Sequence, residues 1–256
     1  MSPPNMISTL FGQEDPSIIS DSEDFLEACS SLGLKTEKIF TIEKLPKNSI
    51  VFSFSNDAAK LTFEIAKNTR NKKSIFCAVQ VFEPSLDSAL YSLTLLLRSN
   101  FKEALTTQRS VLNMLNSHEL FSLSGNNADA QVTICPDAQP YALIAEDIEN
   151  DFVQSVAEFF EVHYAHMNPR EPCPFSFNGT LKIAGILTVL RKPNPLLPDG
   201  LKTSIKWLSD RVSEKGALLS VENNIITSFK ITNEEHIKLL DLVAGPRGLK
   251  LTEFAI

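Results

Sequence analysis

The sequence predicts an α/β protein, with a parallel-rich N-terminal α/β domain and a smaller, β-rich (α+β) C-terminal domain. Two short apolar runs, NSIVFSFS (48–55) and KSIFCAVQVF (73–82), read as buried strands. Each is followed by a segment with apolar residues at helical spacing, AAKLTFEIAKN and LDSALYSLTLLLRS. The order strand, helix, strand, helix at these lengths is that of parallel βαβ units. After about residue 150 the pattern changes to β-rich runs separated by glycine and asparagine turns.

Residues 1–35 are expected to form an N-terminal arm with one short helix. Residues 1–22 are rich in serine, proline and acids, which reads as a loose segment, and Asp24–Leu32 has helical spacing. The α/β domain is expected over 36–150. Asn56 and Asp57 stand where a helix cap belongs, and the basic stretch Lys67–Lys73 reads as a solvated helix end and turn. Pro84-Ser85 opens the next helix, with Leu86, Ala89, Leu90 and Leu93 on one face. A further helix, EALTTQRSVLNMLNS, and a strand, DAQVTICP, extend this domain. Ser122-Leu123-Ser124-Gly125 between them reads as a loop.

The β-rich domain is expected over 151–256. PFSFNGTLKIAGILTVLR holds two β-rich runs, with Asn178-Gly179 read as a turn. LKTSIKWLSDRVSEKG places Leu201, Ile205, Leu208 and Val212 at helical spacing, with Gly216 as its stop. ALLSVENNIITSFKI reads as a hairpin turning at Glu222-Asn223-Asn224, because asparagine tolerates the left-handed conformation. Thr232 and Glu235 have capping-box spacing ahead of HIKLLDLVAG.

Composition excludes several functions. Net charge is -7, with no large basic cluster, so no nucleic-acid partner is expected. No apolar run approaches the ~20 residues of a membrane helix. The first residues lack a basic segment followed by an apolar one, so no secretory signal is read and the expected compartment is the cytoplasm. Cys29, Cys77, Cys135 and Cys173 show no CxxC spacing, which disfavours disulfides and structural zinc. Cys77, inside IFCAVQVF, reads as a small buried hydrophobe. SFSNDAA is neither GxGxxG nor GxxxxGK[ST], and no GxSxG elbow occurs.

AEFFEVHYAHMNPREPCPF (157–175) concentrates metal-ligating residue types. If EVHYAH is extended, side-chain alternation puts Glu161 and His163 on one face and His166 on the other. One carboxylate and one imidazole begin a metal site, but catalytic zinc takes about three protein ligands. The others would have to come from His118, His236 or distant acids. Against this stands the commoner role of such histidines as surface or hydrogen-bonded structural groups. Cys173 stands between two prolines and reads as exposed. A reactive thiol there would need more positive charge than Arg170 supplies.

FFEVHYAH, the later FNGTLKIAGIL, the hairpin ALLSVENNIITSFKI and the final GLKLTEFAI resemble, in that order, segments of the thermophilic-type leucyl aminopeptidases and the related 2,5-dihydroxypyridine dioxygenases. The likeness is specific over roughly the last hundred residues, and Thr252 stands where that family usually has glycine. The resemblance implies that Glu161 and Glu253 occupy positions of metal-ligand glutamates. That family's other ligands, histidines and an aspartate, lie beyond this strand, whereas this sequence stops at Ile256. The resemblance therefore implies a remnant metal site, with Glu161, His163 and Glu253 as its candidates and no resident metal or cofactor. In truncation and length the chain is also similar to the peptide-binding accessory proteins of crocagin-type modified-peptide biosynthesis.

The resulting expectation is a non-catalytic protein that binds a precursor peptide, or another protein, and presents it to modifying enzymes or shields it. The acidic net charge favours peptides with basic residues, in a salt-sensitive way. The apolar tail LTEFAI needs burial, in the sheet or in a homodimer interface. The alternative is a metal-dependent hydrolase or dioxygenase using Glu161, His163 and Glu253. A third reading is a structural, self-associating protein.

Overall fold

The apolar runs that announce the first half become neighbouring central strands. The computed structural model describes residues 7–12, 14–82, 84–143, 151–168, 170–187, 199–244 and 248–256. A short helix, α1 (Ser8–Phe11), leads into β1 (Ser17–Ser20), α2 (Glu23–Ser31), β2 (Thr36–Lys38), β3 (Asn48–Phe52), α3 (Asn56–Lys67) and β4 (Lys73–Cys77). Two helices, α4 (Leu86–Arg98) and α5 (Phe101–Ser117), follow. With β8 (Phe152–Ser155) the strands form a five-stranded sheet in the order β2-β1-β3-β4-β8, parallel throughout.

Successive side chains point to opposite faces, so a sheet covered on both sides needs apolar residues at consecutive positions. Ile18, Ile50, Phe52 and Ile75 pack on one face with Phe25 of α2 and with Ala89, Leu93 and Leu96 of α4. Ile19, Val51 and Phe76 pack on the other with Ile65 and Ala66 of α3. Phe52 is fully buried, and truncating such a residue to alanine costs about 3–5 kcal/mol. Serines cap the helices. The Oγ atoms of Ser22, Ser55 and Ser85 accept from the N–H groups of Phe25, Ala58 and Ser88, so Ser55 does the work assigned by sequence to Asn56 and Asp57.

The expected loose arm gives way to structure by Ser17. β1 lies between β2 and β3, and all four of its residues are buried. The buried Ser20 hydroxyl accepts from the Ser22 N–H at 3.2 Å, which makes its burial tolerable. Asn48 ties the preceding segment down by donating to the carbonyls of Phe11 and Glu14, both at 2.9 Å.

The second half builds an antiparallel sheet from β5 (Leu120–Gly125), β6 (Ala128–Ile134), β10 (Phe175–Ile183), β11 (Ala217–Glu222), β12 (Ile225–Ile231) and β13 (Glu234–Glu235), in the order β13-β12-β11-β10-β6-β5. Helices α6 (Asp199–Lys215) and α7 (Ile237–Ala244) accompany it. Leu208 and Val212 of α6 pack with Ala217, Phe229 and Ile231 of the sheet. Gly216 ends α6 at φ +72°, its N–H donating to Val212 O at 2.7 Å. A third sheet has the order β14-β9-β7, from β14 (Glu253–Ala255), β9 (Val162–Ala165) and β7 (Tyr141–Ala142).

Four local expectations change. DAQVTICP is a strand, but of the antiparallel sheet, because its alternating burial suits one covered face. SLSG belongs to strand β5 and is not a loop. Asn178-Gly179 lies inside β10. Gly179 is there because a Cβ would stand 2.3 Å from Asp129 O and 2.4 Å from Ala130 Cα. Thr232 and Asn233 do not cap a helix. Both have positive φ and turn the chain from β12 into β13, while the Glu235 carboxylate accepts from Phe229 N–H, Ile237 N–H and the Ser228 hydroxyl. The β11–β12 hairpin turns on Asn223 and Asn224, at φ +47° and +67°, as two-residue turns of this hand require.

The chain divides into two compact units, Met1–Ser110 with Ala142–Val162, and Val111–Tyr141 with His163–Ile256. Among the described residues, no helix is long and apolar enough to cross a membrane.

Candidate functional site

β9 alternates in burial. Val162 and Tyr164 point inward, and His163 and Ala165 the other way. Glu161 stands two residues before His163, so strand alternation places it on the same face. β14 runs antiparallel to β9 with Glu253 opposite Ala165, which makes Glu253 a diagonal neighbour of His163. The His163 Nδ1 to Glu253 Oε1 separation is 3.9 Å. One ligand atom from each of Glu161, His163 and Glu253 lies within 4.8 Å of the other two. Metal–nitrogen and metal–oxygen bonds are about 2.1 Å, so two ligands of one ion lie at most about 4.2 Å apart. The histidine–glutamate pair already meets that limit.

The corner is held from behind. Gln108 of α5 is buried, and its Nε2 donates to the carbonyls of Glu158 and Glu161, both at 2.8 Å. The Tyr141 ring lies 5.2 Å from the His163 ring. The remaining histidines stand elsewhere. His118 contacts Met114 O, His166 contacts Glu171 O, and His236 packs against Trp207. None of them joins the group that sequence reading asked them to complete. Cys173 is half-buried, its Sγ accepting from Asn224 Nδ2 at 3.2 Å, and Cys77 is buried as expected. Phe254 of the apolar tail packs against Phe175, with ring centroids 6.1 Å apart.

A second feature was not legible as functional. β5 is the edge strand of the antiparallel sheet, paired with β6 alone among the described residues. The Ile134 N–H donates to Glu119 O at 2.7 Å, which makes that pair a hydrogen-bonded one. Bonded and non-bonded pairs alternate, so Phe121, Leu123 and Gly125 bond to β6, while the N–H and C=O groups of Leu120, Ser122 and Ser124 point away from it. The strand carries no proline and no charge, the usual devices that blunt an edge, and Leu120 is 57% exposed. The alternation F-S-L-S followed by Asn126-Asn127 was the available signal, since an asparagine pair between alternating runs marks a hairpin.

The family model described as "Crocagin biosynthetic protein CgnE/B" matches residues 13–256. No curated protein matches the chain. Among solved structures, wild-type AmpT from Thermus thermophilus is similar at 11% identity and a TM-score of 0.46, over 98% of this chain and 76% of that one. A likeness this distant carries no argument about activity.

Proposed function

The chain belongs to the family of crocagin biosynthetic proteins CgnE/B, which gives it a role in natural-product biosynthesis, and on that premise we propose that it binds a precursor peptide without transforming it. The observation that carries this reading is the open edge of β5. An extended peptide can add to it as a further strand, its main chain bonding to Leu120, Ser122 and Ser124 and its alternate side chains read by the neighbouring surface.

Magnitudes set what the edge must supply. Three outward residues offer six main-chain hydrogen bonds, worth about 0.5–1.5 kcal/mol each. That total, roughly 3–9 kcal/mol, is of the same order as the ~4–15 kcal/mol lost on association. Side-chain contacts therefore decide affinity and choice of peptide. Leu120 is an exposed apolar contact on this edge, and the chain's net charge of -7 favours basic residues in the bound segment.

The test is an N-methyl scan of a synthetic precursor peptide, with affinity read by calorimetry. Methylation at every second amide should weaken binding, because only alternate N–H groups face β5, and methylation at the intervening positions should have little effect. Uniform tolerance of N-methylation would remove strand addition as the mode.

The convergence of Glu161, His163 and Glu253 favours a second reading, a metal-dependent hydrolase or dioxygenase. These side chains would hold a divalent ion, whose chemistry when bound is activation of water or of oxygen. Elemental analysis after chelator-free purification tests it, with Glu161→Gln as the control. In the binding-protein reading that variant keeps its affinity for peptide. About one zinc, iron or manganese per chain, lost in Glu161→Gln, would favour the enzyme.

A further inference from the structure

The first unit carries a cavity of about 600 Å³ whose charge opposes that of the whole chain. Its lining includes Lys44, Lys47 and Arg70 and no acidic residue, in a protein with 31 acidic and 24 basic residues. We propose that this cavity binds acidic side chains of a peptide.

The walls are fixed before any ligand arrives. One is the segment leading into β3, the other the turn after α3. The Leu45 N–H donates to Thr69 Oγ1 at 3.1 Å, and the Lys73 N–H donates to Lys47 O at 2.7 Å, so the two walls are joined directly. Thr69 Oγ1 also donates to Ile65 O, Lys72 Nζ donates to Thr69 O, and the Asn71 N–H donates to Asp151. Lys72 is thus spent on structure. Lys47 stands 3.3 Å from Glu14. Lys44 and Arg70 make no ion pair or hydrogen bond among the described residues, and both are exposed. Lys44 and Arg70 stand one on each wall, so with the backbone fixed only their side-chain freedom is lost on binding.

Opposing charges must be counted: Glu14 faces Lys47, and Asp151 accepts from the Asn71 N–H while paired with Lys72. The cavity meets the C-terminal end of α3, where Asn68 is the cap, and a helix C-terminus carries about half a negative charge. Lys67, in the last turn, offsets it. The full charges of Lys44 and Arg70 exceed the remainder.

The ligand is a peptide for three reasons. The space exceeds that of a single small ion. Asn68 and Asn71 also line it, and an asparagine amide offers both donors and an acceptor of the kind a peptide main chain pairs with. Three cations on a chain of net charge -7 are too few for a nucleic acid or an anionic membrane surface. The inference does not rest on the β5 edge.

The test uses the full chain and a fluorescein-labelled oligoglutamate peptide, followed by fluorescence anisotropy at low salt, about 20 mM, because exposed charges are screened at higher ionic strength. The paired variant Lys44→Gln with Arg70→Gln should weaken binding about tenfold or more. The control pair Lys35→Gln with Lys60→Gln, exposed lysines outside the cavity, should change it less than about twofold, close to the scatter of surface pairs. Circular dichroism melts check that each variant folds. Absence of wild-type binding, equal binding by the Lys44/Arg70 variant, or equal loss in the control pair would overturn the proposal. Displacement by about 10 mM inorganic phosphate beyond that caused by sodium chloride of equal ionic strength would assign the cavity to free phosphate and overturn the peptide.

Discussion

Ser122→Pro separates the two sides of β5. Ser122 lies opposite Gln131 in a non-bonded pair, so its N–H faces away from β6. Proline removes that donor without cutting a ladder bond, an arrangement in which edge strands tolerate it. The cost to the fold is the change of φ from a strand value toward about -65° at an exposed edge. The melting temperature should fall by no more than a few degrees, given that 1 kcal/mol moves a domain of this size by about 2–4 °C. The cost to peptide binding is larger. One net hydrogen bond of about 0.5–1.5 kcal/mol is lost, and a peptide carbonyl is left to find water. A loss of about 1–2 kcal/mol corresponds to roughly 5–30-fold in Kd. Calorimetry with the precursor peptide reads the affinity and a thermal melt reads the fold. Phe121→Pro is the internal contrast. It removes an N–H that does bond to β6, so it should destabilise the sheet itself. Unchanged peptide affinity in a folded Ser122→Pro protein would refute strand addition at β5, and so would equal destabilisation by both substitutions.

Three further outcomes follow from packing and charge. Gly179→Ala places a Cβ against Asp129 O and Ala130 at a φ of +126°. It should cost several kcal/mol through strain and overpacking, seen as a large drop in the urea midpoint. Asp151 is held below the usual carboxylate range, first by its hydrogen bond from Lys72. Its contribution is therefore complete above the unfolded value of about 4 and disappears as pH falls through the lower folded value. Asp151→Asn should melt earlier than wild type at pH 7, and the gap should close at strongly acid pH. Burial pushes the Cys29 thiol up to about 11 and raises Cys77 further. Neither should react with an aromatic disulfide reagent at pH 8 in the native protein, whereas exposed Cys135 should. Mass spectrometry of the labelled peptides assigns the sites.

The parallel half was legible because its central strands carry consecutive apolar residues, Ile50–Phe52 and Ile75–Cys77, and a sheet covered on both faces demands that. β1 escaped because SIIS is four residues long with serines at both ends, inside a polar arm. Its place is set by the hydrogen bonds of β2 and β3, which no local pattern announces. The antiparallel half was legible as strands but not in its pairing. DAQVTICP looked like a continuation of the first sheet until its partners, LFSLSG and FSFNGTLKI, were seen beside it. Glu161 and His163 followed from strand alternation, and Glu253 from resemblance. The diagonal contact that brings Glu253 to His163 depends on the β9–β14 register, which is a tertiary fact. Edge position depends on where the sheet ends, so the open side of β5 belongs to the fold and not to its own six residues. Lys67–Lys73 read as a solvated turn because charge runs usually are. Only the Thr69–Leu45 bond shows that part of it lines a cavity.

Strand addition of a peptide at β5, as proposed, has a residue-level signature. Residue-resolved hydrogen exchange with and without saturating precursor peptide tests it most directly. The amides of Leu120, Ser122 and Ser124 should gain protection together, while Phe121 and Leu123, already bonded to β6, should change little. Peptide binding that leaves the three outward amides exchanging as before would rule out strand addition at β5 and place the peptide elsewhere on the protein.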